Sequence, residues 1–233
     1  MNREIALMIE LQQYWDTVLS MRAAMMKSER LIANREEEHD KKLQAVIALE
    51  NEIVDEKRLV KEREIDLSEK DAAVRKLEER KLMVRNKKEL RALENEMDRI
   101  HEERSACEDE LLVLFDNLEE KEQQLQVMKG ELEELGEKVK NSIAQLQEDI
   151  EEKTVTLEEN QQKYDQLLSQ LSPSNGSRFK KLAESGDGKA IVKLEDGICT
   201  GCHTKLPAHE ILDASKNEMI TICTNCGRFI YSE

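Results

Sequence analysis

Along most of this chain apolar side chains recur at alternating steps of three and four. One ladder runs Leu7, Leu11, Tyr14, Val18, Met21, Met25, and on through Val46, Leu49, Ile53, Val60, Leu67, Val74 and Leu77. A second runs from Leu90 and Leu93 through Cys107, Leu111, Leu118, Leu125 and Leu135 to Val139. A mean step of about 3.5 residues keeps one seam of a helix facing a partner, and sustained over many heptads it predicts a coiled coil. No glycine or proline precedes Gly130, so no usual turn signal marks where one helix gives way to the next. The ladders fail to join in phase near the midpoint of 1–171, where Asn86 is the residue best suited to a turn. The reading is therefore a mainly α fold: a long antiparallel coiled-coil hairpin over residues 1–172, turning near 85–88, then a small domain over 173–233. One unbroken helix paired in a parallel dimer is the rival arrangement.

Three departures from the plain ladder change the picture. Ile5, Met8, Trp15, Leu19 and Met26 form a second apolar stripe beside the first, wider than one coiled-coil partner covers. It implies either a broader intramolecular core, against the C-terminal domain, or a dimer interface. Further on, Arg35, His39, Lys42, Glu56, Arg63 and Lys70 take seam positions, where polar residues fix register at a cost in stability. Finally, Leu135, Val139 and Ile143 make two successive four-residue steps beside Gly130 and Gly136, a stutter that predicts a soft point in the helix. The helical pattern stops at Ser-Pro-Ser-Asn-Gly-Ser, residues 172–177.

Beyond that stop lie Cys199-Thr-Gly-Cys202 and Cys223-Thr-Asn-Cys226. Two C-x-x-C pairs at this spacing describe a tetrahedral four-thiolate zinc site, with tight turns aiming both sulfurs of a pair at one ion. Gly201 and Gly227 suit such turns, and β-prone runs at 190–194, 219–222 and 228–231 suit a zinc ribbon. Four thiolates fill the coordination sphere, so a single structural Zn2+ held by Cys199, Cys202, Cys223 and Cys226 is expected. No catalytic constellation accompanies it, and the chain is read as non-enzymatic. His203 and His209 are surplus to the ligand set, and Cys107 falls in the second seam as a small apolar residue.

Composition narrows the class further. Charged residues make up 37% and aromatics 3%, too little for a large globular core but enough for a narrow seam. The net charge of −15 is uneven: residues 92–172 carry 23 acidic and 8 basic side chains, whereas 1–91 carry 20 of each. No export signal and no uncharged apolar run long enough to span a bilayer is present, so cytoplasmic location without membrane insertion is expected. Between residues 75 and 91, eight basic side chains face only Glu78, Glu79 and Glu89. Within this patch Arg80, Lys81, Arg85, Lys87, Lys88 and Arg91 are candidate partner-binding residues. No aromatic interleaves with them, so base stacking finds no support there.

With coil, patch and cysteines read, the chain resembles a bacterial family of coiled-coil hairpins that end in a four-cysteine zinc ribbon, long a family of unknown function. The likeness is most specific in CTGCHTKLP and MITICTNCGRFIY, with Cys226 to Tyr231 similar to the family's closing signature. A weaker likeness lies in NKKELRALENEM, residues 86–97. Thr224 and Ala208 stand where the family often has proline, and neither is a ligand. The resemblance implies a cytoplasmic adaptor. One relative, a flagellar regulator, is associated with the sigma-54 transcription factor and with messenger RNA, and others with flagellar or type III secretion systems. The expected role is thus a non-enzymatic adaptor for protein partners such as sigma-54 or secretion components, with self-association as a homodimer left open. The alternative is an RNA-binding protein acting through the basic patch or the ribbon.

Overall fold

A computed structural model describes residues 2–232. Two long helices account for most of it: α1 (Arg3–Met83) and α2 (Lys87–Leu168), antiparallel and joined through residues 84–86. The turn thus falls one to two residues earlier than the 85–88 expected from sequence. Asn86 is indeed its key residue, since its side-chain oxygen accepts from the Lys88 amide at 3.0 Å and caps α2. The small elements follow: α3 (Pro173–Ala183), β1 (Ile191–Glu195), β2 (Ile198–Cys199), α4 (Ala208–Lys216), β3 (Thr221–Ile222) and β4 (Phe229–Tyr231). No helix among the described residues is long and apolar enough to cross a membrane.

By internal contacts the chain divides into two compact units: Asn34–Asn141, and Met1–Ala33 with Ser142–Glu233. This differs from a boundary at residue 172, because the small elements share one core with the adjoining helix ends. One unit boundary, between Asn141 and Ser142, falls in the stretch of the stutter, yet α2 runs through Gly130 and Gly136 without a break.

The unit 34–141 is a two-helix coiled coil. Val46, Leu49, Ile53, Val60, Val74 and Leu77 of α1 are buried against Leu93, Cys107, Leu111 and Val139 of α2. Four of the six polar seam positions pair across the helices, and Arg35 pairs instead with Glu38 of its own helix. Lys42 meets Glu131 at 2.8 Å, Arg63 meets Glu110 at 3.3 Å, Lys70 meets Glu103 at 2.8 Å, and Glu56 meets Lys121 at 2.9 Å. As the number rises on α1 it falls on α2, which is the antiparallel register written in charge. Exposed pairs of this kind contribute only about 0–1 kcal/mol each, so the apolar seam supplies the stability and the ions choose the register. They also explain the uneven charge, since the acidic second helix draws much of its neutralisation from the first.

The other unit holds the wide core that the second stripe foretold. Ile5, Met8, Leu11, Trp15 and Val18 pack with Tyr164, Leu171, Phe179, Ala190, Ile191 and Phe229. Of the stripe, Met26 is the exception and stays exposed. Aromatic rings run through this core, with centroids 5.1 Å apart for Trp15–Tyr164 and 6.4 Å for both Tyr164–Phe179 and Phe179–Phe229. Two side chains of α1 stitch the loop before β1 in place. Gln12, buried, donates to the Gly188 carbonyl at 2.9 Å and accepts from the Ala190 amide at 2.7 Å. Trp15 donates from Nε1 to the Ala183 carbonyl at 2.8 Å.

α2 already ends at Leu168, short of residues 172–177, and those residues do not form a loop. Pro173 opens α3 at a position where its missing amide costs nothing. Asn175 and Gly176, read as a turn, are helical. Glu4 of α1 supplies the cap that local sequence lacks: its carboxylate accepts from the Ser172 amide, the Ser172 hydroxyl and the Asn175 side chain.

One group in this core lacks a partner. The Tyr164 hydroxyl is buried and unbonded among the described residues, and burial, then the charges of Glu184 and Asp165, push its pKa up to about 12. Tyr164→Phe is therefore expected to leave stability at pH 7 unchanged or slightly higher, since it removes only a desolvated group. Because the folded pKa lies above that of an unfolded tyrosine near 10, the contribution of this group is complete below pH 10. It is lost as the pH climbs to about 12. Thermal melts at pH 9 and pH 11 check this: Tyr164→Phe should lose less stability between them than the parent chain.

Candidate metal centre

The ribbon is built around two short hairpin-like turns. A four-stranded sheet runs in the order β2-β1-β4-β3, with β1 parallel to β4 and antiparallel pairs at both edges. Asp196 and Gly197, both with positive φ, make the tight β1–β2 turn that Asp-Gly favours. The crossover between the cysteine pairs contains α4, which ends on Asn217 in the left-handed conformation. The strand runs expected from sequence match β1, β3 and β4. Neither β2 nor α3 and α4 belonged to that reading.

Each C-x-x-C pair closes on itself in the same manner. The residue after the second cysteine has positive φ, His203 at 56° and Gly227 at 75°. Its amide returns to the first cysteine's carbonyl, His203 to Cys199 and Gly227 to Cys223, at 2.8 Å in both cases. Gly227 therefore has the conformational role assigned to it. Gly201 has a different one: a Cβ there would lie 2.9 Å from Arg228 Cδ and 3.1 Å from Val192, so it is small to admit neighbours. His203 is exposed and supplies backbone geometry, not a ligand.

The four sulfurs all lie within 4.8 Å of one another. Sγ of Cys199 is 3.9 Å from that of Cys226, and Sγ of Cys202 is 3.7 Å from that of Cys223. Four sulfurs held tetrahedrally about 2.3 Å from one zinc ion stand about 3.8 Å apart, so the set fits one Zn2+. Cys199 and Cys223 are buried, while Cys202 and Cys226 are half-buried. As thiols they differ accordingly. Burial pushes Cys199 up to about 12 and also raises Cys223. Cys202 is desolvated too, but hydrogen bonding with Asn225 and Thr204 brings it down to about 6. Binding of zinc displaces the remaining protons.

Two arginines hold the second turn from outside. Arg178 of α3 donates twice to the Gly227 carbonyl, at 3.1 and 2.8 Å. Arg228 donates to the carbonyls of Lys189 and Gly201, both at 2.9 Å, and to Asp187 at 2.7 Å. Its guanidinium also lies beside Cys226, where a fixed positive charge offsets part of the negative charge of a four-thiolate zinc centre. Arg178 gave no signal in the sequence. Arg228 stood out only as part of the closing signature, with no physical reason attached.

The basic residues read as partner-binding lie far from the cysteines in sequence and gather at the turn end of the unit 34–141. Arg80 and Lys81 are on the last turn of α1, Arg85 is in the connection, and Lys87, Lys88 and Arg91 begin α2. Lys81 is paired with Glu94 at 3.0 Å.

Residues 198–230 match the family model of the C4-type zinc ribbon domain. Comparison with curated proteins finds no match. Among solved structures the fold is similar to that of CT398 from Chlamydia trachomatis, at a TM-score of 0.90 and 21% identity, over 98% of this chain and 97% of that one. It is also similar to the HP0958 protein from Helicobacter pylori, at a TM-score of 0.65 and 19% identity over 100% and 98% of the two chains. A protein from Mycobacterium smegmatis gives a TM-score of 0.64 at 13% identity, over 100% of both chains. At such identities these likenesses establish the helical hairpin with its C-terminal ribbon as a shared fold.

Proposed function

We propose that this helical hairpin with a C4-type zinc ribbon is a non-enzymatic cytoplasmic adaptor. The observation that carries the reading is the complete set of four cysteine ligands. Four cysteine sulfurs at tetrahedral spacing leave zinc no open position for water or substrate. The metal then serves to fix the ribbon against the helix ends, and the long charged helical faces remain as binding surface. The sequence resemblance supplies the partner class: the sigma-54 transcription factor, or components of a flagellar or type III secretion apparatus.

A pull-down of the zinc-loaded chain from extracts of its own cells, with and without nuclease, tests this. The adaptor reading expects sigma-54 or secretion proteins to be enriched and to survive nuclease. Recovery dominated by RNA, and lost on nuclease treatment, would replace it with the RNA-binding reading. That alternative draws on the basic turn and would show a steep loss of binding with salt.

A further inference from the structure

The turn end of the unit 34–141 combines two features. The first is apolar. Leu82 and Met83 are 88% and 81% exposed, the two highest values among the large hydrophobic side chains that lie exposed in the described residues. They are out of phase with the seam, which passes through Leu77 and the half-buried Val84. The second is charge without partners. Along the body of the coil, cations such as Lys42, Lys57, Arg63, Lys70, Arg104 and Lys121 are engaged by carboxylates of the opposite helix. At the turn, Arg80, Arg85, Lys87, Lys88 and Arg91 are exposed, and none is in an ion pair among the described residues.

Geometry selects the occupant. Consecutive helical residues project about 100° apart, so Leu82 and Met83 leave a narrow convex end in two different directions. A flat protein face covers one of them and leaves the other wet. A fluid apolar medium surrounds both. Nucleic acid offers phosphates to the cations but nothing to the two apolar side chains, and no aromatic residue is present to stack on bases.

We propose that this turn docks peripherally on an anionic lipid bilayer. Leu82 and Met83 enter the headgroup boundary, and the surrounding arginines and lysines pair with lipid phosphates. The site adds to the adaptor reading and does not depend on it, since protein partners can be held by the helix faces and ribbon with or without lipid.

Flotation of the full zinc-loaded chain with vesicles tests the proposal, comparing phosphatidylcholine alone with a mixture containing phosphatidylglycerol, at physiological salt. Binding is expected with the anionic vesicles only. Leu82→Ser with Met83→Ser, which keeps every charge, should weaken it by roughly tenfold or more. Arg85→Glu, Lys87→Glu and Lys88→Glu together should weaken it by about a hundredfold. All of these positions are exposed, and an unchanged helical circular dichroism spectrum confirms that the variants are folded. No binding to anionic vesicles at millimolar lipid would overturn the proposal. So would binding indifferent to Leu82→Ser with Met83→Ser, which is adsorption by charge alone. Turn-dependent capture of an acidic protein without lipid binding would reassign the surface to a protein partner.

Discussion

Stripped of zinc by a chelator at neutral pH, the chain is expected to lose the ordered ribbon while keeping most of its helical signal. The strands are two to five residues long, and their order in the sheet puts β2 at one edge and β3 at the other. Cys199 belongs to β2 and Cys223 follows β3 directly, so the ion ties opposite edges of the sheet to one point. The apolar cluster around it is small: Val192, Leu194, Leu206, Ala214 and Ile230, with Cys199 and Cys223 themselves among its buried members. So small a core does not hold short strands together alone. Structural zinc in small domains supplies about 10–16 kcal/mol of apparent binding free energy, as much as the whole stability of an ordinary domain, about 5–15 kcal/mol.

Two measurements check this. Hydrogen exchange should show the amides of β1 and β4 losing protection on chelation, while those of α1 and α2 within residues 34–141 keep theirs. Fluorescence of Trp15, the only tryptophan, should shift to the red, because its core includes Ile191 and Phe229 from the sheet. Cys199→Ser should reproduce both changes in the presence of zinc. Unaltered protection of Ile191 to Glu195 after complete removal of the metal would show that the ribbon folds on its apolar contacts alone.

What the sequence revealed, and what it hid, divides along the range of the interactions. The seam is legible because a coiled coil repeats one local rule, and Val46, Ile53, Val60 and Leu111 are buried where that rule places them. The cysteines are legible because thiolate chemistry permits few alternatives at their spacing. The elements missed depend on partners distant in sequence. Residues 173–177 carry every local sign of a loop, yet they are helical, and Glu4 of α1 holds the start of that helix by accepting from the Ser172 amide and the Asn175 side chain. Gln12 reads as an ordinary polar residue beside the apolar ladder. It is buried because a loop some 180 residues away presents a carbonyl and an amide that its side-chain amide satisfies together. α4 escapes notice because its nine residues, though bracketed by Pro207 and Asn217, are short for a helical pattern. The second stripe lay between these cases. Its width required a cover, but only the structure shows the cover to be α3 and the ribbon sheet.

Trp15→Ala is expected to be the most damaging single substitution outside the metal ligands. The side chain is 5% exposed and packs against Tyr164, and Arg22 lies over its ring at 5.5 Å. Truncating a buried tryptophan costs about 3–5 kcal/mol through lost transfer free energy and the cavity left behind. The Ala183 carbonyl would also lose its donor. Trp15→Phe separates the two contributions. It keeps most of the ring contact and removes the hydrogen bond, for a cost of about 1–3 kcal/mol. Gly188 sharpens the expectation, because its backbone approaches so closely that a Cβ would lie 2.3 Å from Leu19 and 3.4 Å from Trp15 Nε1. The loop and the indole are thus fitted to each other, and the surroundings have little freedom to collapse into the space that alanine leaves. Urea unfolding at fixed free zinc, followed by exchange of the α3 and β1 amides, gives both costs on the intact chain. A loss below about 1 kcal/mol for Trp15→Ala would mean that the bonds made by Gln12, together with the zinc-closed ribbon, hold this core without the indole, against the cavity cost expected for tryptophan.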